Sequence, residues 1–202
     1  MVSRPRLFAV TILAATRLEE RAVRRELRNA RVRIVRSGVG RGGAFDDDVI
    51  SCGLAGGLRA DVPSGTVVVA DVIEDSIGKR IACDAGLVAK LADAAKALGF
   101  APLLTSTTLV RNRARDEYAA RGFAAADMES GLISAPRVAA VRVILDTPQR
   151  ELSEGWLRPV SFWYRPQMWA ELPWLATTAP KFAHRAAQVV RVMLNGALLR
   201  MP

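Results

Sequence analysis

The sequence predicts an α/β fold in which helices flank a central mixed, mostly parallel β-sheet. Several segments are apolar along their whole length, which is typical of strands covered on both faces. Segments with apolar residues at helical spacing alternate with these strands along the chain. The chain has 202 residues, 50% of them hydrophobic, so it is long and apolar enough to bury a core of its own.

The first part of the chain predicts four strands and one helix. Residues 6–15 are almost continuously apolar and predict a buried strand, and residues 16–29 carry apolar side chains at helical spacing. Residues 31–37 alternate between apolar and polar, as in a second strand. The apolar run 49–58 breaks into glycines at its end, and the strand 65–73 follows a Pro-Ser-Gly turn.

The second part continues the alternation. Residues 87–98 predict a helix, and Gly99 is its stop signal. Three further strands are predicted near residues 103–110, 122–127 and 138–145. A long amphipathic helix is predicted over residues 179–199.

We expect residues 1–202 to form a single domain, with residues 154–202 as its Trp-rich helical C-terminal extension. All four tryptophans lie in this extension, at Trp156, Trp163, Trp169 and Trp174. One interpretation is that they cap the core of the sheet. The alternative is an apolar substrate entrance or a peripheral contact with a lipid surface.

Cysteine and histidine content argues against several kinds of site. Cys52 and Cys83 have no further cysteine or histidine near them in sequence, so neither a disulfide framework nor a zinc site is predicted. His184 is the sole histidine, which makes histidine-based catalysis improbable. The basic, apolar opening of the chain also fits a signal peptide, but we interpret it as the first strand. We therefore predict a reduced, cytoplasmic protein.

The positive charge is concentrated near the start of the sequence. Residues 1–44 contain 11 arginines and 3 acidic residues, and hold most of the net charge of +9. Such a block can attract phosphates, nucleic acid or an anionic membrane. No aromatic RNA-binding motif or DNA-reading helix pair accompanies it, so we predict no nucleic-acid partner.

Two local motifs are too weak to assign a ligand. Residues 38–43, GVGRGG, satisfy the G-x-G-x-x-G pattern, but an acidic run follows where a dinucleotide site requires an apolar helix. The three aspartates at 46–48 are adjacent and are expected to face solvent rather than bind a metal. No metal site is predicted.

Taken together, the segments resemble those of the nucleoside phosphorylase and nucleosidase superfamily. The segments are SGVGRGGA (37–44), VISCGLAGGL (49–58) with GTVVVADVI (65–73), AADMES (125–130) and VRVILD (141–146). Within the superfamily the chain is most similar to phosphorylase-like proteins associated with hopanoid biosynthesis. The resemblance implies a three-layer nucleoside phosphorylase-like fold, no cofactor, a homodimer, and cleavage of a purine nucleoside such as adenosylhopane, with release of adenine.

The resemblance also implies a set of site residues. Asp146 matches the aspartate that protonates the purine at N7, and Glu129 matches the glutamate that binds the ribose hydroxyls, beside Met128. The backbone of Gly53, Leu54, Ala55 and Gly56 would line the substrate, since glycine permits close approach of a ligand.

The nucleophile distinguishes hydrolysis from phosphorolysis. Glu19, or Glu20 one residue later, matches the glutamate that activates water in nucleosidases. The turn with Gly38, Gly40 and Arg41 would lie on the phosphate or ribose side, with inorganic phosphate as a possible co-substrate. Alanines replace the early phosphate-binding glycine, so we favour hydrolysis.

Departures from the family pattern leave two alternatives open. Leu54 and Leu145 replace residues that usually carry hydroxyl groups, and the links before the strand 49–58 and the strand 138–145 are too short for normal crossover helices. One alternative is therefore a catalytically weak or inactive nucleoside-binding relative. The other rests on the arginine-rich first segment instead of on these departures, and is a basic interaction protein that uses this segment.

Overall fold

The computed structural model describes residues 10–96, 100–157 and 166–198. The strands are β1 (Val10–Ala14), β2 (Arg33–Arg36), β3 (Gly43–Ala44), β4 (Asp48–Gly57), β5 (Val67–Ala70), β6 (Val72–Glu74), β7 (Arg80–Ala82), β8 (Leu103–Thr105), β9 (Ala125–Asp127), β10 (Ile133–Ser134) and β11 (Val138–Ile144). The helices are α1 (Arg17–Glu26), α2 (Ala85–Ala95), α3 (Arg113–Ala120) and α4 (Pro166–Leu198), with 3₁₀ turns at Ser130–Leu132 and Glu154–Leu157. The predicted start of the first strand, Gly99 and Trp163 lie outside the described residues.

Nine of these strands form one mixed sheet. β4 is its central strand: its first part pairs in parallel with β1 and β11, and its last two residues pair antiparallel with β9. β2 extends the sheet beyond β1, β5 pairs antiparallel with β11, and β8, β6 and β7 continue it beyond β9. Most of the pairings are parallel, and helices flank the sheet, so the predicted fold class is confirmed.

Helix α1 begins directly after β1 because its first turn is capped by its own side chains. The Thr16 hydroxyl accepts a hydrogen bond from the Glu19 N–H, and the Glu19 carboxylate accepts one from the Thr16 N–H, which completes a capping box. This cap places Glu19 at the carboxyl end of β1, where the central strands also end.

The C-terminal helix covers one side of the sheet together with α1 and α2. α4 begins at Pro166, well before the predicted residue 179, and continues through Pro173 and Pro180. Its alanines, valines and Met193 pack with α1, α2 and the strands into one core cluster.

Three predicted strands differ from the expected segments, and one of them, 122–127, is a strand only over Ala125–Asp127. Segment 65–73 divides at Asp71 into β5 and β6, which pair with different neighbours. Segment 103–110 ends as a strand at Thr105, and the sequence pattern did not predict the helix α3 that follows.

The first short link lacks an α-helix, as predicted, and the second, which has room for about two helical turns, forms none either. Between β2 and β4 the chain forms only the two-residue β3, and between β9 and β11 it forms a 3₁₀ turn and the two-residue β10. β3 and β10 pair in parallel with each other, so each short link supplies backbone hydrogen-bonding partners to the other.

The described tryptophans of the C-terminal extension have polar partners. The indole N–H of Trp156 donates to Glu171, and the Arg150 guanidinium lies 4.1 Å from the ring centroid of Trp174. Trp169 is 53% exposed. No helix in the described part of the chain is long and apolar enough to cross a membrane. The lipid contact and the homodimer therefore stay predictions.

Candidate active site

Six charged side chains are buried together around the second half of β4. They come from α1, from the end of β9 and the turn after it, from β11 and the residues after it, and from α3. Exposure is 5% or less for each of Glu19, Arg115, Asp127, Glu129, Arg142 and Asp146. Burial of charged groups costs free energy unless they are paired and hydrogen-bonded. A cluster of this kind marks a candidate functional site.

The Glu19 carboxylate is held in one orientation by three donors. Its Oε2 accepts from the backbone N–H and the hydroxyl of Thr16, both at 2.8 Å, and its Oε1 accepts from the Leu54 N–H at 2.7 Å. A Cβ on Gly53 would lie 2.2 Å from Oε1, so only glycine permits this approach. Glu20 instead points outward and pairs with Arg24 and Arg36. The structure thus brings Glu19 and not Glu20 to the site.

Arg142 is a central site residue that our sequence reasoning missed. Its guanidinium bonds Asp127 through Nε and Nη2 at 2.9 and 2.6 Å, and Nη2 also donates to the hydroxyls of Ser51 and Ser130. Its buried Nη1 has no hydrogen-bond partner among the described residues. A Cβ on Gly53 would lie 2.6 Å from this Nη1, so Nη1 and Glu19 Oε1 approach the same point.

Glu129 lies on the same side of the site as Arg142. Its Oε1 accepts from the Gly40 N–H at 3.0 Å, and its Oε2 lies 3.9 Å from Arg142 Nη2. Burial raises the pKa of Glu129 to about 7; Arg142 opposes this shift, and the nearby Asp127 adds to it. Met128, beside it, is half-buried.

Asp146 occupies the opposite end of the site. Its Oδ2 accepts a hydrogen bond from Arg115 Nη2, and its Oδ1 faces Gly56, where a Cβ would lie 3.1 Å away. Burial raises the pKa of Asp146 above its ordinary value, although the Arg115 guanidinium opposes this shift. Arg115 comes from α3 and was also missed by the sequence analysis, since α3 itself was not predicted.

The other predicted site residues contribute mainly through their backbone. Leu54 donates to Glu19, and Ala55 accepts from the Leu145 N–H at 2.8 Å. Gly38 and Gly40 adopt positive φ angles of 91° and 68°, which glycine tolerates without strain. Gly40 reaches Glu129 as described above, whereas Arg41, on the same turn, has an exposed side chain.

A small cavity lies between Asp146 and Met128. Gly56, Met128, Arg115 and Asp146 are among its lining residues, and its volume is about 30 Å³. That volume holds a water-sized molecule. A larger ligand therefore requires its lining side chains to move.

A larger cavity of about 1000 Å³ lies at the other edge of the sheet, near the starts of β1 and β4. Its lining includes the cations Arg25, Arg28, Arg31, Lys90, Arg137 and Arg191. It contains none of the six buried charged residues described above. We therefore place the candidate active site at the buried charge cluster, where acidic, basic and hydrogen-bonding groups converge.

The raised pKa of Glu129 predicts a pH-dependent stability. The carboxyl holds its proton up to about pH 7 in the folded protein but loses it near its ordinary value of 4.5 when unfolded. The folded state then binds more protons, so the free energy of unfolding is expected to fall as pH rises between about 4.5 and about 7. Urea unfolding across this interval measures the slope.

Glu129→Gln is expected to flatten this slope, because the amide does not titrate. Glu117→Gln, on an exposed glutamate of α3, is the matched control and should leave the slope unchanged. Equal slopes for the wild type and Glu129→Gln would contradict the assignment.

Chemically, the site offers a proton donor at one end and a proton acceptor at the other. Asp146 is a buried carboxyl, and burial raises its pKa above the ordinary value. Glu19 and Arg142 Nη1 converge on a single point near Gly53. This arrangement suits cleavage of a bond between a leaving group that must be protonated and a centre attacked by water.

The fold can be compared with that of known proteins. No family model and no curated protein matches the chain. The Streptococcus pyogenes S-adenosylhomocysteine nucleosidase in complex with 5-methylthiotubericidin superposes with a TM-score of 0.68 at 17% identity, covering 96% of this chain and 99% of that one.

Two Helicobacter pylori structures show the same likeness. The 5′-methylthioadenosine/S-adenosylhomocysteine nucleosidase has a TM-score of 0.66 at 16% identity, covering 94% of this chain and 99% of that one. Futalosine hydrolase has a TM-score of 0.66 at 15% identity, covering 94% and 98%. At such identities the likeness establishes the fold, which is that of the nucleosidases.

Proposed function

We propose that this protein hydrolyses the N-glycosidic bond of a purine nucleoside and releases the free base. The observation that carries the proposal is the convergence of Glu19 Oε1 and the unpartnered Arg142 Nη1 beside Gly53. The buried carboxyl of Asp146 lies beside Gly56, further along the same strand. One water molecule bound between Glu19 and Arg142 would complete the constellation.

In the proposed reaction, positive charge develops on the sugar as the bond between C1′ and the purine N9 breaks. The bonding electrons pass to the purine, and Asp146 donates its proton to N7. Water attacks C1′ and gives a proton to Glu19 while Arg142 orients it. Glu129 accepts hydrogen bonds from the ribose hydroxyls, and Met128 packs against the sugar.

The charge distribution supports hydrolysis over phosphorolysis. The arginines considered for phosphate binding, Arg17, Arg21 and Arg41, have exposed side chains. The cation inside the site, Arg142, is already bonded to Asp127 and lies near Glu129. A phosphate dianion there would meet carboxylates, which disfavours it.

The identity of the substrate is a further part of this proposal. The sequence resemblance predicts adenine as the base and a 5′ substituent that is apolar or lipid-linked, as in adenosylhopane. The leucines at positions 54 and 145 support an apolar ligand only indirectly. The compounds tested should therefore vary in base and in 5′ group.

The test is release of free base by the purified protein. Adenosine, inosine and their 5′-methylthio and 5′-alkyl derivatives are incubated with and without phosphate, and the bases are quantified by chromatography. We expect release without phosphate. Asp146→Asn should lower it by about 100-fold or more, since removing a general acid costs about 10² to 10⁴. Asp61→Asn, at an exposed carboxylate, is the control.

The outcomes separate the alternatives. Release that strictly requires phosphate would make the protein a phosphorylase. Nucleoside binding by calorimetry without release from any compound would make it a non-catalytic binding relative. Binding with a steep salt dependence and no preference for purines would favour the basic interaction protein.

A further inference from the structure

Arg115 is a buried cation in direct contact with Asp146, the proposed general acid. It lies on α3 and is 2% exposed. Besides the bond to Asp146 Oδ2, its Nη1 donates to the Gly57 carbonyl and its Nε donates to the Val110 carbonyl at 3.0 Å. Its Nε also lies 3.1 Å from Glu151 Oε1. Contacts on several sides hold the guanidinium in place.

The guanidinium is a donor that still has hydrogen-bonding capacity. Arginine carries five N–H groups and no acceptor. Within the described chain, one N–H each of Nε, Nη1 and Nη2 has an acceptor, so one on Nη1 and one on Nη2 are left over. Arg115 lines the same small cavity as Asp146, Gly56 and Met128. A base that contacts Asp146 there therefore meets an arginine N–H beside it.

The two classes of purine differ at the edge that would face this pair. The edge formed by N7 and the C6 substituent presents two acceptors in a 6-oxopurine, but an acceptor and an amino donor in adenine. Asp146 Oδ1 and Arg115 Nη2 approach the same point beside Gly56, where a Cβ would lie 3.1 and 3.8 Å from them. If Asp146 donates its proton to N7 through Oδ1, Arg115 Nη2 is then the neighbouring donor for the C6 substituent. The oxygen of a 6-oxopurine can accept a hydrogen bond from the Arg115 N–H. The amino group of adenine is itself a donor, so the two N–H groups would face each other without forming a hydrogen bond.

The contact also removes the usual way to bind adenine. A carboxyl that donates to N7 through one oxygen can accept from the 6-amino group through the other. Here Oδ2 is occupied by Arg115 Nη2 and lies 3.5 Å from the Leu152 N–H. The 6-amino group would have to displace the buried Arg115 from this hydrogen bond and leave the arginine N–H without an acceptor, which is costly.

We propose that Arg115 is a specificity residue that makes the base subsite select a 6-oxopurine, such as hypoxanthine or guanine, over adenine. This inference rests on the proposed function and differs from the adenine predicted by resemblance. It names the base class alone and leaves the 5′ substituent open.

The test compares substrate pairs that differ only at C6, namely inosine with adenosine and 5′-methylthioinosine with 5′-methylthioadenosine. We expect kcat/KM to favour the 6-oxo member of each pair by about tenfold or more, since a correct arginine pair discriminates between bases by about 5- to 100-fold. Calorimetric binding of hypoxanthine and adenine to the unaltered protein gives the same comparison without depending on turnover.

Arg115→Gln is expected to bring the ratio close to one, because an amide offers both a donor and an acceptor. Arg121→Gln, at the exposed end of α3, is the matched control and should keep the ratio. Folding of both variants is checked by circular dichroism and thermal melting. If Arg115→Gln does not fold, the binding comparison on the unaltered protein decides.

Release or binding of adenine in preference to the 6-oxopurine would overturn the inference while leaving the hydrolase proposal intact. An unchanged ratio in a folded Arg115→Gln would also overturn it and reduce Arg115 to a structural tie between α3 and β4. Absence of base release from all four nucleosides would contradict the proposed function instead, and hypoxanthine binding over adenine would still support the base preference.

Discussion

Replacing Glu19 by glutamine is expected to lower the rate of base release by about 10² to 10⁴, the usual contribution of a general base. The Glu19 carboxylate accepts hydrogen bonds from Thr16 and Leu54. Its Oε1 and Arg142 Nη1 approach the same point beside Gly53. Glutamine keeps the size of the side chain and one acceptor oxygen but cannot take a proton from water. Single-turnover release of base, measured at saturating nucleoside, reports the effect.

The substitution is a sharp test because glutamine at this helix position also forms capping boxes. We therefore expect Glu19→Gln to fold and to bind nucleoside with little change. Glu20→Gln is the matched control, since Glu20 pairs with Arg24 and Arg36 outside the site. Loss of activity in Glu20→Gln with full activity in Glu19→Gln would assign the nucleophile-activating role to the neighbouring residue.

Arg142→Met is expected to lower the free energy of unfolding by about 3–5 kcal/mol, which is the typical cost of breaking a buried ion pair. Arg142 is 1% exposed and is bonded to Asp127, Ser51 and Ser130. Methionine fills a similar volume but leaves the Asp127 carboxylate buried without its counter-ion. Chemical denaturation monitored by tryptophan fluorescence measures the loss.

A second variant separates the charge effect from lost packing. In Arg142→Met/Asp127→Asn the uncompensated charge is gone, so we expect part of the stability to return. Arg137→Met is the control, because Arg137 pairs with Asp48 at the protein surface and its loss should change stability little. If Arg142→Met were as stable as Arg137→Met, the buried network would not be holding the ends of β9 and β11 together.

Some site residues were predictable because a local rule places them. Glu19 follows a strand and lies three residues after Thr16, a spacing that predicts a helix start. Gly53 and Gly56 end an apolar strand, where glycine indicates close approach to the backbone. Such signals depend only on neighbours in sequence. They agree with the positions of Glu19, Gly53 and Gly56, which the family resemblance assigned to the site.

Arg142 carried a signal that we did not use. It is the only charged residue within β11, whose residues are all buried. A charge in such a strand must find buried partners, so its sequence position alone points to a carboxylate nearby. Its partner Asp127 ends β9, and sequence spacing does not show that these two strand ends lie side by side.

The sequence is sufficient for the alternation of apolar strands and amphipathic helices, which follows from periodicity, and for the absence of normal crossover helices from the two short links, which follows from chain length. Only the tertiary structure decided that Arg115 from the unpredicted α3 contacts Asp146 and that Arg142 lies among three carboxylates. Those contacts join residues far apart in the chain. They form because a buried charge costs free energy unless it is paired with an opposite charge.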